Sequence, residues 1–198
     1  MDNLKPAIIS EDRQIERTLA QTFAGPITLH TRTDNTRKFE VSILSAHNRP
    51  AQGLVSLGTI GLWRTPLLSH KNSRPSRLEL FGIFAASKDG CLDILASAAF
   101  RVMRTHEQID AGTVFLDYVH PWYPKATVAH LYFADPGRLH AIPLDEIRMG
   151  NLSVRFLELI PITPSEHDYL LQHGADALEG ALLGGAADLS DLKRNPAV

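Results

Sequence analysis

Cysteine is almost absent from this chain. Its 198 residues include one, Cys91, so an intrachain disulfide and a zinc site built from several thiolates are both excluded. Because Cys91 lies beside Leu92 in an apolar run, we interpret it as a small buried side chain rather than a reactive thiol. An excess of charge is also lacking, since the formal net charge is -2. Without a basic stripe, the chain is not expected to bind nucleic acid.

Long apolar segments are missing as well. No run reaches the roughly 18 apolar residues that a helix needs to span a bilayer. Residues 1–14 lack the positively charged region followed by an apolar region that marks a secretory signal. The hydrophobic content of 44% and charged content of 21% still allow a sizeable core. We therefore expect a soluble, cytoplasmic protein that does not bind membranes.

Motifs for nucleophilic catalysis, metal binding and nucleotide binding are also absent. The chain contains no GxSxG, HExxH, GxGxxG or GxxxxGK[ST] sequence. The stretch Gly58–Gly61 has the GxxG spacing of a KH-domain loop, but no basic residues flank it. We interpret its glycines as structural. The sequence predicts no catalytic residue, no cofactor and no metal site.

Apolar periodicity predicts three helices and several strands without regular strand–helix alternation. The helices are predicted over residues 10–23, 89–106 and 164–183. The strands are predicted over residues 26–32, 39–44, 53–62, 77–85, 113–119, 127–134, 139–142 and 152–161. This order predicts an α+β fold, with a mixed, largely antiparallel sheet covered by helices in a single domain. Within the chain, we expect an N-terminal helical segment at 1–25, the domain at 26–184 and a flexible tail at 185–198.

The start of the last helix carries the clearest local signal. Thr163 precedes Pro164, and Glu166 follows three residues after Thr163. This spacing predicts a capping box with proline at the first helical position, in which each of Thr163 and Glu166 accepts a bond from the other's backbone amide. A strand that passes directly into a docked helix is therefore expected here.

Two aromatic loops are the candidate partner-binding sites. Trp122 and Tyr123 lie between two prolines and follow His120, which makes this loop rigid and amphipathic. Trp63, followed by an arginine, resembles it. Such aromatic side chains either cover the core or anchor an interface, and both interpretations stay open. We name Trp63, His120, Trp122 and Tyr123 as candidate partner-binding residues.

The nine histidines support an alternative function, a hydrolase or metal-dependent enzyme. His120 and Asp117, with Tyr123 nearby, could form an acid–base cluster if the fold brings them together. His120, His130 and His140 could form a metal site, although their spacing matches no known ligand pattern. Metal analysis of the purified protein separates this alternative from a binding function.

Several stretches resemble the bacterial Suppressor-of-fused-like domain family. They are the glycine-punctuated strand 57–62, the strand 77–80, the alanine- and leucine-rich helix 93–103, and the closing segment 156–163 with Glu166 and the helix that contains His173-Gly174 and Ala177-Leu178. The resemblance covers roughly residues 30–183. These motifs are mostly structural, so they specify the fold better than a mechanism.

The resemblance implies a non-enzymatic, protein-binding function. The animal member of the family is a scaffold that binds a short peptide of a transcription factor. Bacterial single-domain members are associated with polymorphic toxin systems as immunity proteins. The resemblance therefore implies a protein-binding module whose partner is another protein, such as the toxin that an immunity protein neutralises. A homodimer through the apolar stretch Phe81–Phe84 is a further interpretation compatible with this one.

Overall fold

A computed structural model of the chain describes residues 10–67, 77–86, 90–185 and 187–198. In these ranges the helices are α1 (Ser10–Phe23), α2 (Cys91–Thr105), α3 (Pro164–His173) and α4 (Ala175–Gly184), with a short 3-10 turn at Leu62–Arg64. The strands are β1 (Ile27–Thr33), β2 (Glu40–His47), β3 (Leu54–Ile60), β4 (Arg77–Ala85), β5 (Val114–Phe115), β6 (His130–Ala134), β7 (Ile147–Met149) and β8 (Leu152–Ile162).

The described strands form one sheet of eight. Its order is β1-β2-β3-β4-β8-β6-β5, and β7 pairs with β8 beside this path. The β4–β8 pair is parallel, and the other pairs are antiparallel. The predicted α+β class and largely antiparallel mixed sheet are confirmed. The central strands β4 and β8 are buried almost throughout, as expected where helices or loops cover both faces.

Helices α1 and α2 cover opposite faces of the sheet. Leu44 of β2 packs with Leu19 of α1 in one apolar cluster, whereas the next residue back, Ile43, packs with Leu95 of α2 in another. This division follows from the two-residue period of a strand. The buried residues of α1 recur every three or four positions and put one stripe of the helix on the sheet.

The prediction of the C-terminal helix is confirmed at its start but is wrong in its length. The amide of Thr163 donates to the Glu166 carboxylate at 2.7 Å, and the amide of Glu166 donates to the Thr163 hydroxyl at 3.3 Å. The predicted capping box is therefore present. The predicted single helix is divided into α3 and α4 at Gly174, whose φ of 83° lies in the left-handed region that interrupts a helix.

Two predicted strands are shorter or absent. In the region 113–119 only Val114–Phe115 is a strand, and the region 139–142 is a loop. Leu139 and Ile142 are nevertheless buried, since this loop covers the face of the sheet on which α1 lies, at Ile142, and the end near α4, at Leu139. Alternating apolar residues can thus mark a loop that covers a core, because burial and not hydrogen bonding produces the pattern.

Helix α1 and the C-terminal tail are attached to the core. The tail predicted to be flexible is docked: Leu192 is fully buried, its carbonyl accepts from the Thr127 amide at 2.9 Å, and the Ser190 carbonyl accepts from the Ala85 amide at 3.0 Å. The prediction of a flexible tail was based on its content of Gly, Asp and Pro, which does not indicate this docking. Of the predicted N-terminal segment 1–25, residues 1–9 lie outside the described ranges, and α1 shares the core of the sheet.

The apolar stretch Phe81–Phe84 is not a surface. Phe81 and Phe84 are fully buried, one on each face of β4. The interpretation of this stretch as a dimer interface is therefore wrong. A separate observation is that none of the described helices combines the length and the apolarity needed to cross a membrane.

Candidate functional site

A groove runs along α2, where this helix meets β1, β2 and β3 on the face of the sheet opposite α1. One cavity of about 360 Å³ lies at the start of the helix and is lined by His30, Arg32 and His47, among others. A second, of about 200 Å³, continues along the helix and is lined by Arg104 and Trp122, among others. We call these the histidine cavity and the aromatic cavity.

An ion pair separates the two cavities. The Nε of Arg32 in β1 donates to the carboxylate of Asp93 in α2 at 2.7 Å, and each side chain is about one-third exposed. Both residues line both cavities. Since an ion pair this exposed stabilises a fold only modestly, its charges can be exchanged for those of a bound group at low cost.

A fixed turn forms one wall of the aromatic cavity. The Asp34 carboxylate accepts from the Thr36 hydroxyl at 2.6 Å and from the amides of Lys38 and Phe39 at 2.9 and 3.0 Å. These hydrogen bonds, that of Thr36 foremost, lower the pKa of Asp34 to about 2. The carboxylate is therefore committed to holding the turn and does not offer its charge to the groove.

The loop at residues 119–123 forms another wall of this cavity, through Trp122. The amides of Trp122 and Tyr123 both donate to the carbonyl of buried Val119, at 3.0 and 2.9 Å. The loop also touches the start of α2, because a Cβ added at Gly90, whose φ is 87°, would lie 2.8 Å from the Trp122 carbonyl oxygen. The backbone is thus held while the Trp122 side chain remains 43% exposed.

The four predicted partner-binding residues do not share one surface. Trp122 lines the groove, Tyr123 is half-buried beside it, and His120 is exposed in the same loop. Trp63 is 7% exposed, packs in the apolar cluster of α1 and donates from Nε1 to Asp12 at 2.9 Å. Trp63 is therefore removed from the candidate surface, since it is a core residue on the other face of the sheet.

The proposed histidine sites are only partly assembled. The Asp117 amide donates to Nδ1 of His130 at 3.0 Å, and the Asp117 carboxylate is 3.5 Å from the same atom. His120 contacts the Ala126 carbonyl, while His140 contacts Glu158 at 2.6 Å. The three predicted metal ligands thus have separate partners. In the described ranges no group of three or more His, Cys, Asp or Glu side chains could hold a metal ion.

The contact between Asp117 and His130 lacks the geometry of a catalytic pair. In a hydrolytic triad the imidazole donates its Nδ1 proton to the carboxylate. Here Nδ1 of His130 accepts a hydrogen bond, so it has no proton to donate. Burial lowers the pKa of His130, which the Asp117 charge only partly opposes. The imidazole is therefore held neutral by a backbone amide and not oriented by the carboxylate.

The histidine cavity was missed by the sequence analysis. His30 and Arg32 are two positions apart in β1, so they lie on one face of the sheet. This spacing could have been recognised in the sequence. Their neighbours on α2, including Asp93, are some sixty positions later in the chain and are brought close only by the fold. Sequence spacing gives no access to such a long-range contact.

Comparisons with known proteins agree with this fold. The model of the family described as Suppressor of fused protein (SUFU) matches residues 38–195. The chain is 25% identical to the immunity protein YqcF of Bacillus subtilis (strain 168) over 191 aligned residues. The alignment covers 96% of this chain and 99% of that protein.

Solved structures show the same architecture. A suppressor of fused homologue from Neisseria gonorrhoeae FA 1090 superposes with a TM-score of 0.72 at 18% identity, over 94% of this chain and 96% of that one. A chain of the Sufu–Fu complex gives 0.66 at 12% identity, over 93% and 91%. Drosophila Suppressor of Fused gives 0.56 at 10% identity, over 91% of this chain but 45% of that one. These identities establish the fold alone, and the resemblance predicted from the sequence is confirmed by the family match: the chain belongs to the Suppressor of fused protein family.

Proposed function

We propose that this chain is a non-catalytic, cytoplasmic protein-binding module that acts as an immunity protein and neutralises a toxin by binding it. The relative from Bacillus subtilis that bears the name immunity protein matches along nearly its whole length, which supports a similar role. The Sufu–Fu complex supports protein binding as a use of this fold. The observation that carries the proposal is the exposed Trp122 at the rim of the groove along α2.

Trp122 has the properties of an interface anchor. It is large, 43% exposed and borders a cavity that Phe100, Tyr118 and Arg104 also line. Tryptophan, tyrosine and arginine are the side chains that most often dominate binding energy at protein interfaces. Because the backbone of the loop is already fixed, little conformational entropy is lost when Trp122 is covered by a partner.

The neighbours of Trp122 complete the proposed surface. His120 is exposed and Tyr123 half-buried on the same loop, and the Lys193 ammonium lies 5.7 Å from the centre of the Tyr123 ring. In this proposal His120 and Tyr123 form the rim around Trp122. Rim residues exclude water from an anchor and contribute less energy themselves.

Substitution Trp122→Ala separates an anchor from a core cover. We expect the free energy of unfolding to fall by about 1–2 kcal/mol, well short of the 3–5 kcal/mol that removal of a fully buried tryptophan costs, since the side chain is 43% exposed. Affinity for the toxin partner should fall at least about 30-fold, the equivalent of a hot-spot loss of about 2 kcal/mol. Urea unfolding and calorimetric titration with the purified toxin measure the two effects.

The matched control is Leu171→Ala, on α3. Leu171 is 71% exposed and does not line the groove, so its removal should leave both stability and affinity unchanged. If Trp122→Ala unfolds the protein, Trp122 is a core cover instead. If the variant binds the toxin as tightly as the unmodified chain does, the groove is not the binding surface.

A further inference from the structure

The exposed Trp122 is carried by a loop whose two ends meet. This loop, residues 117–129, follows the short strand β5 and leads into β6, which begins at His130. We call it the tryptophan loop. At its neck the backbone amide of Asp117 donates to Nδ1 of His130 at 3.0 Å. The side chain of the residue after the loop thus holds the backbone of the residue that begins it.

The contact at the neck fixes an unusual backbone turn. Asp117 has a φ of 57°, in the left-handed region that a residue with a side chain adopts when its surroundings hold it there. A further hydrogen bond crosses the neck, from the Val119 amide to the Ala129 carbonyl at 3.1 Å. The Val119 carbonyl in turn accepts from the Trp122 amide at 3.0 Å. The turn at Asp117 thus begins a short series of contacts that ends at Trp122.

Only a neutral imidazole can make the contact at the neck. A neutral ring has one nitrogen that donates and one that accepts, whereas both nitrogens of a protonated ring donate. Since Nδ1 of His130 accepts from the Asp117 amide, a proton on Nδ1 would place two donors 3.0 Å apart. The His130 side chain is 10% exposed, so a protonated ring is held against the amide and does not turn into water.

The titratable groups that face His130 come from the loop and from α3. Asp117 and His120 face it from the tryptophan loop, and His167 and Asp168 face it from α3. The rings of His130 and His167 meet edge to face, with their centres 5.3 Å apart. Burial, opposed mainly by Asp117 and supported by the two other histidines, lowers the pKa of His130 below the ordinary 6.5. The ring is therefore an acceptor at neutral pH.

We propose that His130 is the positioning residue of the tryptophan loop: as a neutral acceptor it holds Trp122 in place for the partner, and its protonation releases the loop. The Asp117 carboxylate lies 3.5 Å from Nδ1 and is the acceptor for a proton there. The amide contact is then exchanged for an ion pair, and the turn opens. This inference rests on the proposed function and adds a regulation of the same surface by pH.

The lowered pKa of His130 gives the direction of the pH dependence. The unfolded chain takes up this proton near pH 6.5, and the folded chain takes it up at a lower pH. The contribution of His130 to stability is therefore complete above pH 6.5 and decreases as the pH falls toward the folded value. The loop should open below pH 6.5 and close again on neutralisation.

Substitution His130→Asn separates the acceptor from the charge. The asparagine oxygen takes the place of Nδ1 as acceptor for the Asp117 amide and cannot be protonated. NMR of the full ¹⁵N-labelled chain from pH 8 to 5 compares the two proteins. In the unmodified chain the amides of residues 117–123 should shift in step with the His130 ring. The protection factor of the Asp117 amide against hydrogen exchange should fall about tenfold, as for the loss of one hydrogen bond, and both quantities should stay constant in His130→Asn.

His120→Gln is the matched control, because His120 is a second titratable group in the same loop. Its Nε2 donates to the Ala126 carbonyl at 3.3 Å, and glutamine keeps a donor there. The response of the loop amides should persist in this variant. Loop amides that stay constant down to pH 5, or that respond equally in His130→Asn, overturn the proposal. If His130→Asn does not fold, different midpoints for the His130 ring and the loop amides of the unmodified chain overturn it.

Affinity for the purified toxin gives the functional result. From pH 7.5 to 5.5 it should fall about tenfold more for the unmodified chain than for His130→Asn, the equivalent of one lost hydrogen bond. The comparison of the two proteins at each pH cancels the titration of the toxin itself. An equal decrease in both would contradict a regulation through His130.

The outcome is separable from that of the proposed function. If the loop does not respond to pH while Trp122→Ala still abolishes toxin binding, the positioning role of His130 is lost and the immunity function stands. If the loop opens in acid but the chain neutralises no toxin, the positioning role stands and the immunity function is lost.

Discussion

Replacing Arg194 by methionine is expected to lower the free energy of unfolding by about 3–5 kcal/mol, the usual cost of leaving a buried charge without its partner. Arg194 and Glu166 are both buried and form a two-pronged ion pair with N–O distances of 2.5 and 2.7 Å. Arg194 also donates to the Pro161 carbonyl at 3.1 Å. This residue therefore fastens the C-terminal segment to the end of β8 and the start of α3.

The double variant Arg194→Met with Glu166→Gln is the control for the buried charge. Glutamine keeps an acceptor for the Thr163 amide and carries no charge, so we expect the double variant to recover more than half of the lost stability. Urea unfolding at pH 7 measures both. A loss of less than about 1 kcal/mol for Arg194→Met alone would mean that the pair contributes little, as exposed pairs do.

The same pair predicts a dependence on acid pH. Hydrogen bonds from Arg194 and the backbone lower the pKa of Glu166 against the opposing effect of burial. A carboxyl whose pKa is lower in the folded state contributes stability above its unfolded value, and this is lost as the pH falls through the folded value. Stability should thus decrease below about pH 4.5, the ordinary value of this carboxyl. Relative to Glu166→Gln, the unmodified chain should show the steeper loss.

Replacing Glu79 by leucine is the second substitution with a large expected effect. Glu79 is fully buried and accepts from the Thr59 hydroxyl at 2.5 Å and from the amides of Gly61 and Trp63 at 2.7 and 3.2 Å. Leucine would leave the two amides buried without an acceptor. At about 1–3 kcal/mol for each unsatisfied group, unfolding should become about 2–6 kcal/mol easier.

Glu79→Gln is the matched variant, and it reports on protonation. Burial raises the pKa of Glu79 to about 7 from the ordinary 4.5, so between these values the folded chain holds a proton that the unfolded chain has released. Its contribution to stability is complete below pH 4.5 and is lost as the pH rises toward 7. Glutamine keeps the acceptor for both amides and cannot ionise.

Unfolding measurements from pH 4 to 8 test this assignment. The stability of the unmodified chain minus that of Glu79→Gln should fall across the window between pH 4.5 and 7 and stay level on either side. A difference that does not change with pH would contradict the raised pKa. A strongly destabilised Glu79→Gln would show that the Thr59 contact requires the carboxyl group itself.

The features predicted correctly from the sequence are those encoded locally. The bounds of α1 follow from apolar residues spaced by one turn, and the capping box follows from Thr163 and Glu166, three positions apart. Both are short-range patterns that do not depend on the rest of the fold. The fold class could be inferred in the same way, from the order of such elements along the chain.

Features that depend on distant contacts were not accessible from the sequence. Trp63 is in the core because its indole N–H reaches Asp12, 51 positions earlier. The tail is docked because Arg194 forms an ion pair with Glu166, 28 positions earlier. The groove likewise requires Arg32 and Asp93 to meet across 61 positions. Loop composition and aromatic content indicate none of these pairs, so the same residues suggested a surface, a flexible tail and no groove.

Parallel affinity capture tests the central claim most directly. The tagged chain and its Trp122→Ala and Leu171→Ala variants are used as baits in cells that produce the chain, and each retained protein is then expressed alone and together with the bait. We predict a stoichiometric partner that is retained by the unmodified chain and by Leu171→Ala, is lost from Trp122→Ala, and arrests growth unless the chain is present. Retention of the same proteins by all three baits, or a partner without toxicity, would contradict an immunity function that acts through this groove.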